Sequence, residues 1–269
     1  MVRFPCFFSR RTIRAAALAS ALALSVPATW AIPIEIHQHL VVGTQASDEL
    51  APTVALTLDA CGGGFNAELV DFLVEHRIPA TIFATRKWLE GNPAGVQQLL
   101  AHRDLFDIED HGAEHVPAVI GAGRRVYGLR GEPDLDHLKA EVLGGARAIE
   151  DVTGRAPRWY RGATAIYDPQ AVAAIEALGF QVAGFSLNAD AGATLREAQI
   201  VQRVRAARSG DVIIAHVNKP HSDTAAGLAV ALADLLQRGY RFVRLDGAAL
   251  TEALPSALSS DRNGAVGTR

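Results

Sequence analysis

Cysteine is almost absent from this chain: there are two in 269 residues, Cys6 near the N-terminus and Cys61 in the body. If the N-terminal segment is cleaved, no intramolecular disulfide can form, and the Cys61 thiol must be buried, liganded or reactive. Positive charge is also scarce, with 26 Lys and Arg against 29 Asp and Glu. Nucleic acid is therefore not an expected partner, because phosphate binding calls for clustered cations. A nucleotide fingerprint is missing too. The loop Gly62–Gly64 lacks both the Lys-Ser/Thr that follows a P-loop and the spaced glycines of a dinucleotide fold. The most apolar run, Ala15–Val26, is short and alanine-rich, below the roughly 20 residues that a transmembrane helix needs.

That run is flanked by Arg3, Arg10, Arg11 and Arg14 before it and by small residues after it, the order of an export signal over residues 1–31. An uncleaved anchor is the alternative. The stretch Ser9-Arg10-Arg11-Thr12-Ile13 is similar to a twin-arginine signal, while general secretion needs only the positive start. Either route leads to the periplasm or the exterior, with no stable membrane span after cleavage. Cleavage removes four arginines and no acids, leaving a charge of about −7. Roughly 240 residues remain, enough for one α/β domain. We expect a polar lead-in over 32–52, the domain over 53–258 and a flexible tail over 259–269.

Thr53–Leu58 is β-branched and apolar and runs into the glycine loop, so Asp59 sits at the C-terminal end of a strand. Asn66 can cap a helix carrying Leu69, Phe72 and Leu73, and Pro79 precedes a second strand at Ala80–Ala84. Further strands are expected at 105–108, 158–160, 181–185, 212–215 and 241–243. Helices are expected at 135–152, 170–178, 198–207 and 224–238, with a terminal one near 245–254. Strands separated by helical crossovers require a mostly parallel sheet. About seven such units suit an incomplete, distorted β/α barrel, although an open doubly wound sheet satisfies the same pattern. In both, chemistry belongs at the C-terminal ends of the strands.

Four clusters stand just after expected strands: Asp59, then His111 with His115, then Arg161, then His216. His-x-x-x-His on a helical turn or tight loop can supply two nitrogen ligands to a metal. Read in order, the clusters resemble the motifs of the polysaccharide deacetylase family, carbohydrate esterase family 4, over residues 53 to 250. The family's Thr-Phe-Asp-Asp-Gly is matched by Thr57-Leu58-Asp59-Ala60-Cys61-Gly62, and its His-Ser/Thr-x-x-His by His111-Gly112-Ala113-Glu114-His115. Its Arg-x-Pro-Tyr survives as Arg161-Gly162-Ala163-Thr164. The fourth motif is similar to Phe185–Asp190, and the fifth to Gly210–His216. The resemblance implies a divalent metal ion, with zinc expected, held by His111 and His115. It also implies Asp59 as general base, Arg161 orienting it, His216 as general acid and Asp190 holding His216. The implied reaction removes N-acetyl groups from a glycan. The metal would polarise the acetyl carbonyl and lower the pKa of the attacking water towards roughly 7, and a histidine paired with a carboxylate can protonate the leaving amine. Backbone amides of Gly62–Gly64 are candidates for the oxyanion.

The chain departs from the pattern at Ala60, where the family carries its third metal ligand. Asp59 turned onto the metal, Cys61 as a thiolate, Asp110 or His221 from adjoining loops, and no third ligand at all are the alternatives. A thiolate would favour zinc over harder ions. The Pro and Tyr of the third motif and the Trp of the fourth, here Gly192, are gone, so the walls that hold a sugar ring are altered. The loop 121–130, with its arginines and Tyr127, can contact substrate or be an ordinary solvated loop, and 217–223 is expected to border the pocket. Rival readings are a non-catalytic glycan-binding or scaffold protein and a small-amide hydrolase on the same fold. Trp30, Trp88 and Trp159 are read as leader or core residues.

Overall fold

The computed structural model describes residues 1, 32–41 and 51–251, together with the backbone of 254–257 and 266–268. Chain contacts separate Met1–Trp30 from Ala31–Arg269, and the second unit carries everything below. The export signal, including Trp30, lies outside the described residues apart from Met1, as does the lead-in from 42 to 50.

The central sheet comprises β1 (Thr53–Ala60), β2 (Ala80–Ala84), β3 (Phe106–Asp110), β4 (Trp159–Tyr160), β5 (Gln181–Val182), β6 (Leu187–Asn188), β7 (Val212–His216) and β8 (Arg241–Val243). Their order is β6-β7-β1-β2-β3-β4-β5, with β8 beside the start of β1, and every pairing is parallel. The sheet curls into an incomplete α/β barrel. Seven strands fall where the sequence pattern puts them. The eighth, β6, has only two residues and no periodicity to betray it.

From Val54 to Ala60 every residue of β1 is buried, because helices cover one face and the barrel interior the other, so no apolar-polar alternation remains to be read. The crossovers are α1 (Ala67–Glu75), α2 (Arg86–Gly91), α3 (Pro93–Ala101), α4 (Leu135–Thr153), α5 (Pro169–Ala177), α6 (Glu197–Arg205) and α7 (Thr224–Gln237). Asn66 caps α1 as expected, accepting from the Leu69 amide at 3.0 Å. Among the described residues no helix is long and apolar enough to cross a membrane.

Three segments differ from expectation. The lead-in contains a strand, Ile34–His37, paired antiparallel with Ile166–Tyr167 and 254–257. Its Ile36 is buried, and a single alternating turn of chain was too short to signal this. Among the described residues the helix expected at 245–254 is absent, because the backbone there bonds elsewhere: Val41 donates to the Ala249 carbonyl at 2.7 Å and Thr251 to that of His39 at 2.8 Å. Of the tail, 266–268 pairs antiparallel with Arg124–Val126, and the rest lies outside the described residues.

Helix α4 packs against the segment that follows β3 through Gly144 and Gly145. A Cβ on Gly145 would lie 2.1 Å from Asp110 Oδ1 and 2.6 Å from the Gly112 carbonyl carbon. Gly145→Ala is therefore expected to lower stability by about 1–3 kcal/mol through overpacking. Gly91→Ala, where nothing lies within 4 Å, should be neutral or mildly stabilising. Urea denaturation of the two variants measures the difference, and equal stabilities would contradict this packing.

Candidate active site

The site grows from the register of β1 and β7. Asp59 pairs with His216 across the two strands, so a carboxylate and an imidazole stand level at the C-terminal mouth of the barrel. Side chains alternate along a strand. Asp59 and Cys61 share the mouth side, while Ala60 belongs to the hydrophobic layer on the helix side with Leu58, Ala84 and Trp88.

Asp59 is buried, and its Oδ1 accepts from Arg161 Nη1 at 2.9 Å. The same nitrogen donates to Thr57 Oγ1 at 2.8 Å, Nη2 donates to the Gly184 carbonyl at 2.8 Å, and the guanidinium lies 4.2 Å over the Phe83 ring. Burial alone would raise the Asp59 pKa, but the positive charges of Arg161, His111 and His216 outweigh it and hold the carboxyl below its usual value. Asp59 is thereby kept ionised.

His111 Nδ1 donates to the Arg161 carbonyl at 2.6 Å. That bond commits Nδ1 as a donor and turns Nε2, 3.4 Å from Cys61 Sγ and 3.8 Å from Asp59 Oδ2, towards the cluster. Burial opposes charge on this imidazole, but Asp59 and Cys61 beside it push its pKa up to about 9. The His115 ring meets that of His111 edge-on, with centroids 4.9 Å apart. His-x-x-x-His is therefore a loop and not a helical turn, with His115 at a left-handed φ of 67°, strained by about 1–2 kcal/mol for a residue with a Cβ. Glu141 of α4, which the sequence reading missed, offsets this. Its carboxylate accepts from the amides of Glu114 and Val116 on either side of His115, at 2.9–3.0 Å and 3.0 Å. Gly112 makes room for it: at φ 87°, a Cβ there would lie 2.4 Å from Glu141 Oε1.

The ligand atoms of Cys61, His111 and His115 all lie within 4.8 Å of one another. Cys61 is thus the third member of that cluster, while Asp59 has Oδ1 on Arg161 and Oδ2 3.8 Å from His111 Nε2. Burial opposes ionisation of the Cys61 thiol, but His111, His115 and His216 around it pull its pKa well below the ordinary value. Asp110 turns its Oδ1 to the Gly112 amide at 2.8 Å, and His221 is exposed outside the cavity, so neither joins the cluster. A thiolate and two imidazoles, one pre-oriented by a backbone carbonyl, are a donor set that suits zinc.

Asp190 holds His216 from two sides, accepting from its Nδ1 and from its backbone amide, each at 2.9 Å. Thr224 Oγ1 donates to the same carboxylate at 3.0 Å. Thr224 went unread in the sequence because a threonine at the first helical position looks like an ordinary helix start. Burial disfavours charge on His216, yet Asp190 and Cys61 raise its pKa well above the ordinary imidazole value.

Asp59, Cys61, His115 and His216 open onto a cavity of about 700 Å³. Its rim includes Gly62 and Gly63, whose carbonyls are tied down by Asn218 and by Asn92, the latter at 3.0 Å. As expected, the segment after β7 borders it, through Asn218 and Lys219. Trp88 and Trp159 are core residues.

Replacing Arg161 by Met would leave Asp59 buried and unpaired, and should cost about 3–5 kcal/mol. Arg161→Lys restores the charge without the planar fork and should fall between. Chemical denaturation at neutral pH checks the order, and parental stability of Arg161→Met would contradict the pairing.

The profile of the polysaccharide deacetylase family matches residues 46–183. No curated protein matches the chain. Among solved structures the chain is similar to a carbohydrate esterase family 4 pseudoenzyme from Bacillus anthracis, with 18% identity and a TM-score of 0.58 over 73% of this chain and 64% of that one. It thus spans just under two thirds of the pseudoenzyme's length. A family 4 acetyl xylan esterase from Clostridium thermocellum, solved with a cobalt ion, aligns at 20% identity and a TM-score of 0.58 over 72% of this chain and 88% of that one. A peptidoglycan deacetylase from Bacillus subtilis aligns at 18% and 0.58 over 74% and 91%. At these identities the likeness is one of fold.

Proposed function

The chain belongs to the polysaccharide deacetylase family, and from that premise we propose that it is a metal-dependent hydrolase removing N-acetyl groups from an envelope or extracellular glycan. The observation that carries the reading is that the Cys61, His111 and His115 donor set stands beside one cavity with a carboxylate, Asp59, gripped by Arg161 and an imidazole, His216, gripped by Asp190. A divalent metal, zinc by the softness of the thiolate, would supply Lewis-acid polarisation of the acetyl carbonyl and an acidified water. Asp59, held ionised by Arg161, takes the proton of the attacking water. His216 spends Nδ1 on Asp190, so Nε2 is left to protonate the sugar amine as the C–N bond breaks. The leader read at 1–31 would deliver such an enzyme to envelope glycans.

The substitution at Ala60 and the pseudoenzyme among the structural neighbours favour a second reading, a glycan-binding protein without turnover. Metal content and acetate release separate the two. The parent protein, purified without chelator, should hold about one equivalent of metal and the His111→Ala/His115→Ala variant none. In the cobalt-loaded parent a sulfur-to-metal charge-transfer band is expected, and it should vanish in Cys61→Ser. A parent that takes up no zinc or cobalt would overturn the metal-dependent reading. One that binds metal but releases no acetate from N-acetylglucosamine oligomers would favour the binding protein, and turnover confined to small amides would exclude the glycan as substrate.

Turnover in this scheme needs Asp59 ionised and His216 protonated. The lowered pKa of Asp59 puts the acid limb below the ordinary carboxylate value, and the raised pKa of His216 puts the alkaline limb above the ordinary imidazole value. Asp190→Asn removes the countercharge, so the alkaline limb of kcat/KM should move to lower pH while the acid limb stays. An unmoved alkaline limb would remove His216 from the role of acid.

A further inference from the structure

Of the exposed large apolar side chains among the described residues, only Tyr127 and Leu129, at 45% and 41% exposure, line the cavity that holds the site. They stand at the tip of a hairpin, Arg124–Val126 with Leu129–Arg130, in which Val126 pairs with Leu129. Tyr127 and Gly128 turn the chain with φ of 48° and 82°, the two left-handed positions of a type I′ turn. Glycine and asparagine suit both positions, whereas a bulky tyrosine at the first is strained.

The hairpin is anchored. Arg124 Nη1 donates to Asp168 Oδ2 at 2.6 Å and to the Ile120 carbonyl at 3.0 Å, both buried, and the Ile120 amide donates to the same Asp168 oxygen at 2.7 Å. Arg125 Nη1 closes the turn on the Gly128 carbonyl at 2.6 Å. Elsewhere the lining is small or polar: Thr164, Ala191 and Gly192, where a Cβ would meet nothing within 4 Å, stand with Lys87, Glu114 and Lys219. Phe185, the other aromatic ring besides the histidines in the lining, is buried. Tyr127 therefore offers the exposed face against which a flat, partly apolar ligand can lie.

We infer that the Arg124–Arg130 hairpin is a glycan subsite, in which the Tyr127 ring and Leu129 stack against a pyranose of the substrate and set it over the Cys61, His111 and His115 cluster. The inference rests on the glycan reading above and names a substrate-positioning element for it. An aromatic ring with a polar tip is suited to a sugar's alternating C–H and hydroxyl faces.

The test is calorimetric titration of the full chain with the fully acetylated N-acetylglucosamine tetramer, with acetate release followed in parallel. Tyr127→Asn removes the ring while relieving the left-handed strain, so the variant should melt at or above the parent temperature. It should bind the tetramer about tenfold or more weakly, and Tyr127→Trp should bind within about twofold of the parent. Parental affinity in Tyr127→Asn, or a parent that does not bind the tetramer, overturns the subsite. A parent that releases acetate while Tyr127→Asn binds unchanged sinks the subsite and leaves hydrolysis standing. A parent that binds through Tyr127 but releases no acetate keeps the subsite and sinks hydrolysis.

Discussion

A guanidinium buried inside a barrel is tolerated only if every face of it is answered, and Arg161 is fully buried. Its side chain reaches Asp59 and Thr57 on β1, the Gly184 carbonyl beyond β5 and the face of Phe83 on β2, drawing three strands of the sheet to one point. Its own carbonyl accepts from His111. One residue therefore orients the candidate base through its side chain and a candidate metal ligand through its backbone. The shape of the site follows from satisfying that one buried charge.

The pleat of β1 decides what surrounds it. Positions 59 and 61 face the barrel mouth and position 60 faces the helical layer, where alanine packs among apolar neighbours. With Asp59 held by Arg161, the cysteine two residues on comes into reach of both histidines. A cysteine sulfur thus stands with two imidazoles despite Ala60, and as a thiolate it would bring softer ligand chemistry to the cluster.

Strain in the His111–His115 loop is balanced from outside it. The left-handed His115 is bracketed by amides that Glu141 accepts, and the glycines of α4 and the loop let the two segments approach closely enough for those bonds to form. The same economy of supports recurs at His216, which Asp190 grips by ring and by backbone while Thr224 donates a third bond to the carboxylate. A buried polar network of this kind rigidifies when each member is partnered.

From the sequence alone, the alternation of apolar runs and helical periods determined the parallel barrel and the level of Asp59, His111, Arg161 and His216 at its strand ends, because period and strand polarity are local properties of the chain. Asp190 was legible only through its motif, and its pairing with His216 depends on the register of β6 against β7, which no local pattern encodes. The tertiary structure alone decided that Cys61 joins the histidines, that Glu141 and Thr224 support the site, and that Tyr127 overlooks the cavity. Each of those contacts joins residues 25 to 50 or more positions apart, or depends on which face a side chain takes. The strand at Ile34–His37 and the missing helix after β8 belong to the same class: their backbone bonds go to distant partners, and a local reading sees only the propensity those partners override.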